Sequence, residues 1–170
     1  VAVTENFDGK NLVDYSKFEN AKFLSDDGKG VLSETTMYRA ILEAKKYDKI
    51  IMIHAESELS PIDYRIAEDL MTLRDVYLAK RLDGRIHMCH VSTIDSLDAV
   101  RRGKKEGVKV TCEITPHHIA LWDNSYRVNP PIREKADVEA LIEGILDGTV
   151  DAIATDHAPH TAEDKANGSP

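Results

Sequence analysis

Histidines and acids gather at five points of this chain, each time just behind an apolar run. DAIATDHAPH (151–160) places Asp156, His157 and His160 within five positions. Earlier, Asp26 and Asp27 follow AKFLS (21–25), and His54 and Glu56 end KIIMIHA (49–55). His90, Ser92 and Thr93 end RIHMCHV (85–91), and Thr115, His117 and His118 end VKVTCEIT (108–115). Neutral imidazoles and carboxylates suit zinc and similar divalent ions, and a carboxylate such as Asp27 can bridge two ions with its two oxygens. Two ions a few ångströms apart would activate a water near neutral pH and polarise a carbonyl, so the chemistry expected is hydrolytic.

Each group also has a plainer use. A lone histidine after a strand is ordinarily a hydrogen-bonded loop residue, Asp-Asp-Gly at 26–28 is a turn signal, and Thr-Pro at 115–116 terminates a strand. Glu56 fits either a carboxylate approaching a helix or the partner that orients an imidazole. The joint pattern favours a site, because five successive strand ends carry His or Asp.

The elements that must position these residues alternate between two periods. AKFLS, KIIMIHA, RIHMCHV, VKVTCEIT and AIAT (152–155) are short and rich in apolar and β-branched residues, as expected of strands buried on both faces. Between them run helical patterns. SETTMYRAILEAKKYDK has Ser33 as N-cap and Met37, Ala40, Ile41 and Ala44 on one stripe. SPIDYRIAEDLMTLRDVYLAKRL opens with Ser60 as cap and Pro61 at the first helical position, and aligns Ile62, Ile66, Leu70, Leu73 and Tyr77 on one face. STIDSLDAVRRGKKEG ends at Gly107 and EKADVEALIEGILDG at Gly148, both natural left-handed caps. Strand and helix in alternation mean parallel βαβ units, in an open doubly wound sheet or a (β/α)8 barrel. No glycine-rich phosphate loop follows any strand, which disfavours the nucleotide-binding form of the first. Candidate residues at the C-terminal ends of the strands favour the barrel, where active sites assemble on that face.

Composition narrows the function classes. Of 170 residues, 42% are hydrophobic and 31% charged, a globular balance. A net charge of -8 argues against a nucleic-acid surface. The basic cluster Arg101, Arg102, Lys104 and Lys105 reads as a solvated helix face. No run of 18 apolar residues occurs, and VAVTENFDGK lacks the regions of a signal peptide, so a cytoplasmic location is expected. Cys89 and Cys112 read as reduced core residues.

In order along the chain, FLSDDG (23–28), IHAE (53–56), CHVST (89–93), CEITPHH (112–118), VNPPIR (128–133) and IATDHAPH (153–160) resemble the dihydroorotases of the amidohydrolase superfamily, in the bacterial and archaeal single-function type. The resemblance implies a TIM-like (β/α)8 barrel of the metal-dependent hydrolase type. It implies reversible interconversion of L-dihydroorotate and N-carbamoyl-L-aspartate in pyrimidine biosynthesis, with two zinc ions in a complete site. By motif, Asp27 is the metal-bridging carboxylate where many relatives use a carboxylated lysine, and Lys22 is a secondary candidate for that bridge. His54 and His90 bind metal. Asp156 contacts metal and acts as general base, then general acid. Asn129 and His160 hold the substrate, and His157 supports.

The pattern departs from the family in one respect. No His-x-His pair precedes His54, so the five strands are expected to be numbers four to eight, with VAVT (1–4) the tail of strand three. Residues 1–170 then form the C-terminal part of one barrel domain, lacking the first strands and the last helix and inactive alone. The connection after His54 is also short for the family. Other cyclic amidohydrolases, allantoinase or hydantoinase, are the nearest alternative activity. An inactive dihydroorotase-like scaffold for aspartate carbamoyltransferase is the alternative from another class, and the expected partners are a small-molecule substrate, a second copy in a homodimer and aspartate carbamoyltransferase.

Overall fold

The computed structural model describes residues 1–167, so the last three residues of TAEDKANGSP lie outside it. Five strands form one sheet: β1 (Phe23–Ser25), β2 (Ile50–Ile53), β3 (Arg85–Met88), β4 (Lys109–Ile114) and β5 (Ala152–Ile153). Their order in space is their order in sequence, and every neighbouring pair is parallel. A doubly wound sheet needs a point where strand order reverses. This sheet has none, so it is an arc of a barrel rather than an open nucleotide-binding sheet.

Register explains where the core sits. Leu24, Ile51, Ile86 and Val110 are paired across four strands, and Ile53, Met88 and Cys112 form the next row on the same face. All seven are buried. Against these rows pack α1 (Glu34–Lys46), α2 (Tyr64–Leu82), α3 (Ile94–Lys105) and α5 (Lys135–Leu146), contributing Met37, Ala40, Ile41, Met71, Leu97, Val100 and Leu141. Burial of each such large side chain contributes roughly 1.5–3 kcal/mol. The expectation of strands buried on both faces is corrected: Phe23, Lys109 and Thr111, on the other face, are exposed. Helices cover one face only, and the opposite face is the one that a barrel closes with further strands.

Caps follow the sequence in three of the four long helices. Ser33 accepts from the Thr36 amide, and Gly107 and Gly148 adopt positive φ just past α3 and α5. The second helix differs. It starts at Tyr64 with Asp63 accepting from the Arg65 and Ile66 amides, while Ser60–Ile62 form a turn. Its expected apolar stripe of Ile62, Ile66, Leu70, Leu73 and Tyr77 faces outward, and Ala67, Glu68, Met71, Thr72, Asp75, Val76 and Ala79 face inward. Small residues there allow close approach to neighbouring elements, and the buried acids are paired: Asp75 with Arg74, Glu68 with Arg133.

VAVT forms no strand of the sheet, yet it lies along β1, since the Val1 carbonyl accepts from the Ser25 amide. A short helix, α4 (Pro116–Ala120), begins where Thr-Pro reads as a plain strand terminator; Thr115 caps it, accepting from the His118 amide. A further short helix, α6 (Ala162–Ala166), follows DHAPH. Within the basic cluster, Arg101 pairs with Asp98 and Asp147 and Lys104 with Asp151, while Arg102 and Lys105 are solvated. No helix of the described residues is long and apolar enough to cross a membrane.

Candidate metal centre

The two aspartates after β1 separate sharply. Asp26 turns inward and is tied to the Val3 and Thr4 amides at 2.8 and 3.1 Å and to the Thr4 hydroxyl. Asp27, next in sequence, points the other way and places Oδ1 3.6 Å from His54 Nδ1 and 3.8 Å from His90 Nε2. The two imidazoles meet edge to face, with His54 Nδ1 and His90 Nε2 only 2.9 Å apart. Donor atoms of Asp27, His54 and His90 all lie within 4.8 Å of one another.

Glu56 completes the local geometry. Its Oε2 is 2.8 Å from His54 Nε2 and also accepts from Asn129 Nδ2 at 2.8 Å. A carboxylate only accepts, so His54 Nε2 carries a proton and Nδ1 is directed at the cluster. This is how metal-binding histidines are commonly oriented, the far nitrogen donating to a carboxylate. The His54 hydrogen bond, with that of Asn129, pushes Glu56 down to about 2. Burial opposes the charging of His54, but hydrogen bonds to Asp27 and Glu56 outweigh it and raise His54 to about 9. The same contacts, from His54 first and then His90, hold Asp27 well below the usual carboxylate range. Two imidazoles and a carboxylate this close present lone pairs to a common point, which shared protons or a divalent cation would occupy. The donor set of two imidazoles and a carboxylate therefore fits such an ion.

These groups line a cavity of about 200 Å³ with Asn129, Asp156, His160, His117 and Lys165. A wider groove of about 950 Å³ between residues 7–10 and α2 lacks histidine and converging donors, so size does not locate the chemistry here.

The structure thus brings together Asp27, His54, His90, Asn129, Asp156 and His160 in one cavity. Asp156 is not a member of the tight donor cluster. It follows a two-residue edge strand, is exposed, and has φ +48°, a left-handed backbone rare for a non-glycine. His157 is exposed and does not line the cavity. Lys22 is excluded as a bridge. It stands before β1, at the end of the strand remote from the cavity, and pairs with Asp48.

The adjacent histidines of α4 divide their roles by partners. His118 Nε2 donates to the Pro130 carbonyl at 3.0 Å and Nδ1 lies 2.7 Å from the Thr115 hydroxyl, so both nitrogens are used in holding the loop. Burial pushes His118 down to about 4, keeping it neutral. His117 instead lines the cavity, and its buried Nε2 has no protein partner. Sequence could not separate the two, and it gave no sign of Lys165. A second cluster, His87, Cys89 and Glu113, lies on β3, just beyond it and on β4. There His87 is already bonded to Thr111 and Glu113 at 2.8 and 3.1 Å, so it forms a satisfied polar layer of the sheet.

No protein-family model matches the chain. Curated relatives do. A dihydroorotase of Clostridium botulinum is 52% identical over 176 residues, covering 100% of this chain and 44% of the relative. Dihydroorotases of Staphylococcus epidermidis and Fusobacterium nucleatum are 42% and 41% identical, each covering 45% of the relative. The chain therefore spans less than half the length of the curated relatives it matches. Among solved structures, a D-hydantoinase from Bacillus sp. AR9 superposes with a TM-score of 0.79 at 18% identity, over 90% of this chain and 41% of that one. A dihydropyrimidinase from Brevibacillus agri gives 0.73 at 19%, over 83% of this chain and 38% of that one. Identity this low shows the fold alone. The chain is similar in sequence to part of the length of these dihydroorotases, and it shares the barrel fold of the solved structures over the part it spans.

Proposed function

We propose that the protein carrying this chain is a dihydroorotase, interconverting L-dihydroorotate and N-carbamoyl-L-aspartate in pyrimidine biosynthesis, and that residues 1–170 are the C-terminal part of its barrel. The observation that carries the reading is the cavity in which the donors of Asp27, His54 and His90 face Asp156, Asn129 and His160. Sequence relatives at 39–52% identity favour this substrate over hydantoin.

Asp27, His54 and His90 would hold the ion, with zinc the choice that the imidazole and carboxylate donors suit. A bound divalent ion supplies Lewis-acid activation of water and of an amide carbonyl. The chain's own residues do the remainder. Asp156 takes the proton from the attacking water and returns it to the departing ring nitrogen, as general base and then general acid. Asn129 keeps an amide oxygen and one N–H for the substrate while its other N–H stays on Glu56. His160 lies across the cavity as the partner for a substrate carboxylate. Glu56 fixes the ring of His54.

The test uses the full-length protein loaded with zinc. Turnover of dihydroorotate, without turnover of hydantoin or allantoin, is expected; the reverse preference refutes the reading. Asp156→Asn should keep zinc and lose turnover, whereas His90→Ala should lose zinc. Full zinc occupancy in the His90 variant contradicts the ligand assignment.

A further inference from the structure

Behind the cavity lies an ion pair that none of the roles above uses. Glu68 of α2 and Arg133 are 3.1 Å apart, with side chains only 4% and 8% exposed. Isolated charges so placed would be costly, and each has hydrogen-bond partners besides the other. Glu68 accepts from the Ser92 amide at 2.9 Å, from the Ser92 hydroxyl, and from Arg133 Nη2. Arg133 Nε also donates to Ser92 Oγ at 2.9 Å. Three segments far apart in sequence therefore meet on one hydroxyl and one carboxylate.

The position of that junction matters more than its strength. Ser92 lies two residues after His90, whose φ of +37° is a conformation that persists only when its surroundings enforce it. Asp69 of α2 adds to the enforcement, accepting from Thr93 Oγ1 at 2.5 Å and Ser96 Oγ at 3.0 Å. Arg133 lies four residues after Asn129, in the same loop. That loop is tied to the cavity's other imidazole as well, since Asn129 and His54 share Glu56. Each imidazole of the donor cluster is thus connected to the 129–133 segment, one through Glu56 and one through Ser92, Glu68 and Arg133.

A buried ion pair is weak support for stability, because apolar residues of the same volume commonly replace it without loss. What such residues cannot reproduce is the directed fork of a guanidinium on Ser92 and Glu68. We propose that Arg133 and Glu68 are positioning residues, which hold the turn that aims His90 and the loop that carries Asn129 in fixed relation. The substrate part of this inference rests on the dihydroorotase reading; the metal part does not.

The test compares the full-length zinc protein with Arg133→Met, Arg133→Lys and the double variant Arg133→Met with Glu68→Gln. The single Met variant leaves Glu68 buried without its cation and should unfold more readily. The double variant should recover a thermal midpoint close to wild type, yet show a KM for dihydroorotate raised at least tenfold. Its zinc affinity in chelator competition should fall about tenfold. Arg133→Lys, which keeps the charge but not the fork, should fold and show the same rise in KM. A stable double variant, or the Lys variant should the double fail to fold, with wild-type KM and zinc affinity would overturn the proposal. If the wild-type protein does not turn over dihydroorotate, the functional reading fails, and zinc competition alone decides whether the pair positions His90.

Discussion

Removing the Glu56 carboxylate is the sharpest probe of the donor cluster. The structure gives Glu56 one consequential contact toward the cluster, the 2.8 Å hydrogen bond from His54 Nε2, and one toward the loop, from Asn129 at 2.8 Å. A hydrogen bond to a charged group contributes about 1.5–3 kcal/mol net. Without it, His54 has no fixed tautomer, and the nitrogen aimed at the ion must be selected from a mixture. At 1.4 kcal/mol per decade, that range corresponds to zinc affinity weaker by about 10- to 100-fold in Glu56→Ala. Glu56→Gln retains an oxygen that can accept from His54, so its loss should be several-fold. Competition with a chromophoric chelator reads both affinities, and circular dichroism confirms the fold. Unchanged zinc affinity in a folded Glu56→Ala protein refutes the reasoning, because His54 would then be oriented by something else.

Three further outcomes follow from particular contacts. His118 is depressed from 6.5 to about 4. Its contribution is present above the unfolded-state value near 6.5 and is lost as pH falls through about 4, on the order of 3 kcal/mol in all. The destabilisation caused by His118→Asn in urea melts should shrink steadily from pH 7 to pH 4; a cost independent of pH contradicts the neutral buried imidazole. Gly30 has φ +64°, and an added Cβ would lie 2.8 Å from the His54 carbonyl oxygen, whereas at Gly28, φ +73°, it would meet nothing within 4 Å. Alanine at either position should cost about 1–2 kcal/mol of backbone strain, but only Gly30→Ala should also weaken zinc binding, as chelator competition would show. Finally, the outward face of α2 predicts that Tyr77→Gln shifts stability by no more than about 0.5 kcal/mol. Ala67→Leu, on the buried face, should cost about 1–3 kcal/mol by overpacking. Chemical denaturation that ranks the two the other way would restore the face expected from the apolar stripe.

Some features were legible in the sequence because they depend on near neighbours. Strand period and cap chemistry located five strands, the Ser33 cap and the glycines past α3 and α5, and strand ends collected the His and Asp that form the cavity. Tertiary structure decided what depends on partners far along the chain. Apolar spacing identified a stripe on α2, but the opposite face is buried, since Glu68 and Asp75 find Arg133 and Arg74 and alanines permit close packing. Asp26 and Asp27 are identical as residue types; only the chain at Val3 and Thr4 makes one a structural acceptor and leaves the other to the imidazoles. His117 and His118 divide in the same way, through the Pro130 carbonyl twelve residues away. Sequence fixes which groups can do the chemistry and at which strand ends they stand. Which of them face one another is set by long-range hydrogen bonds and packing, energies that no local pattern records.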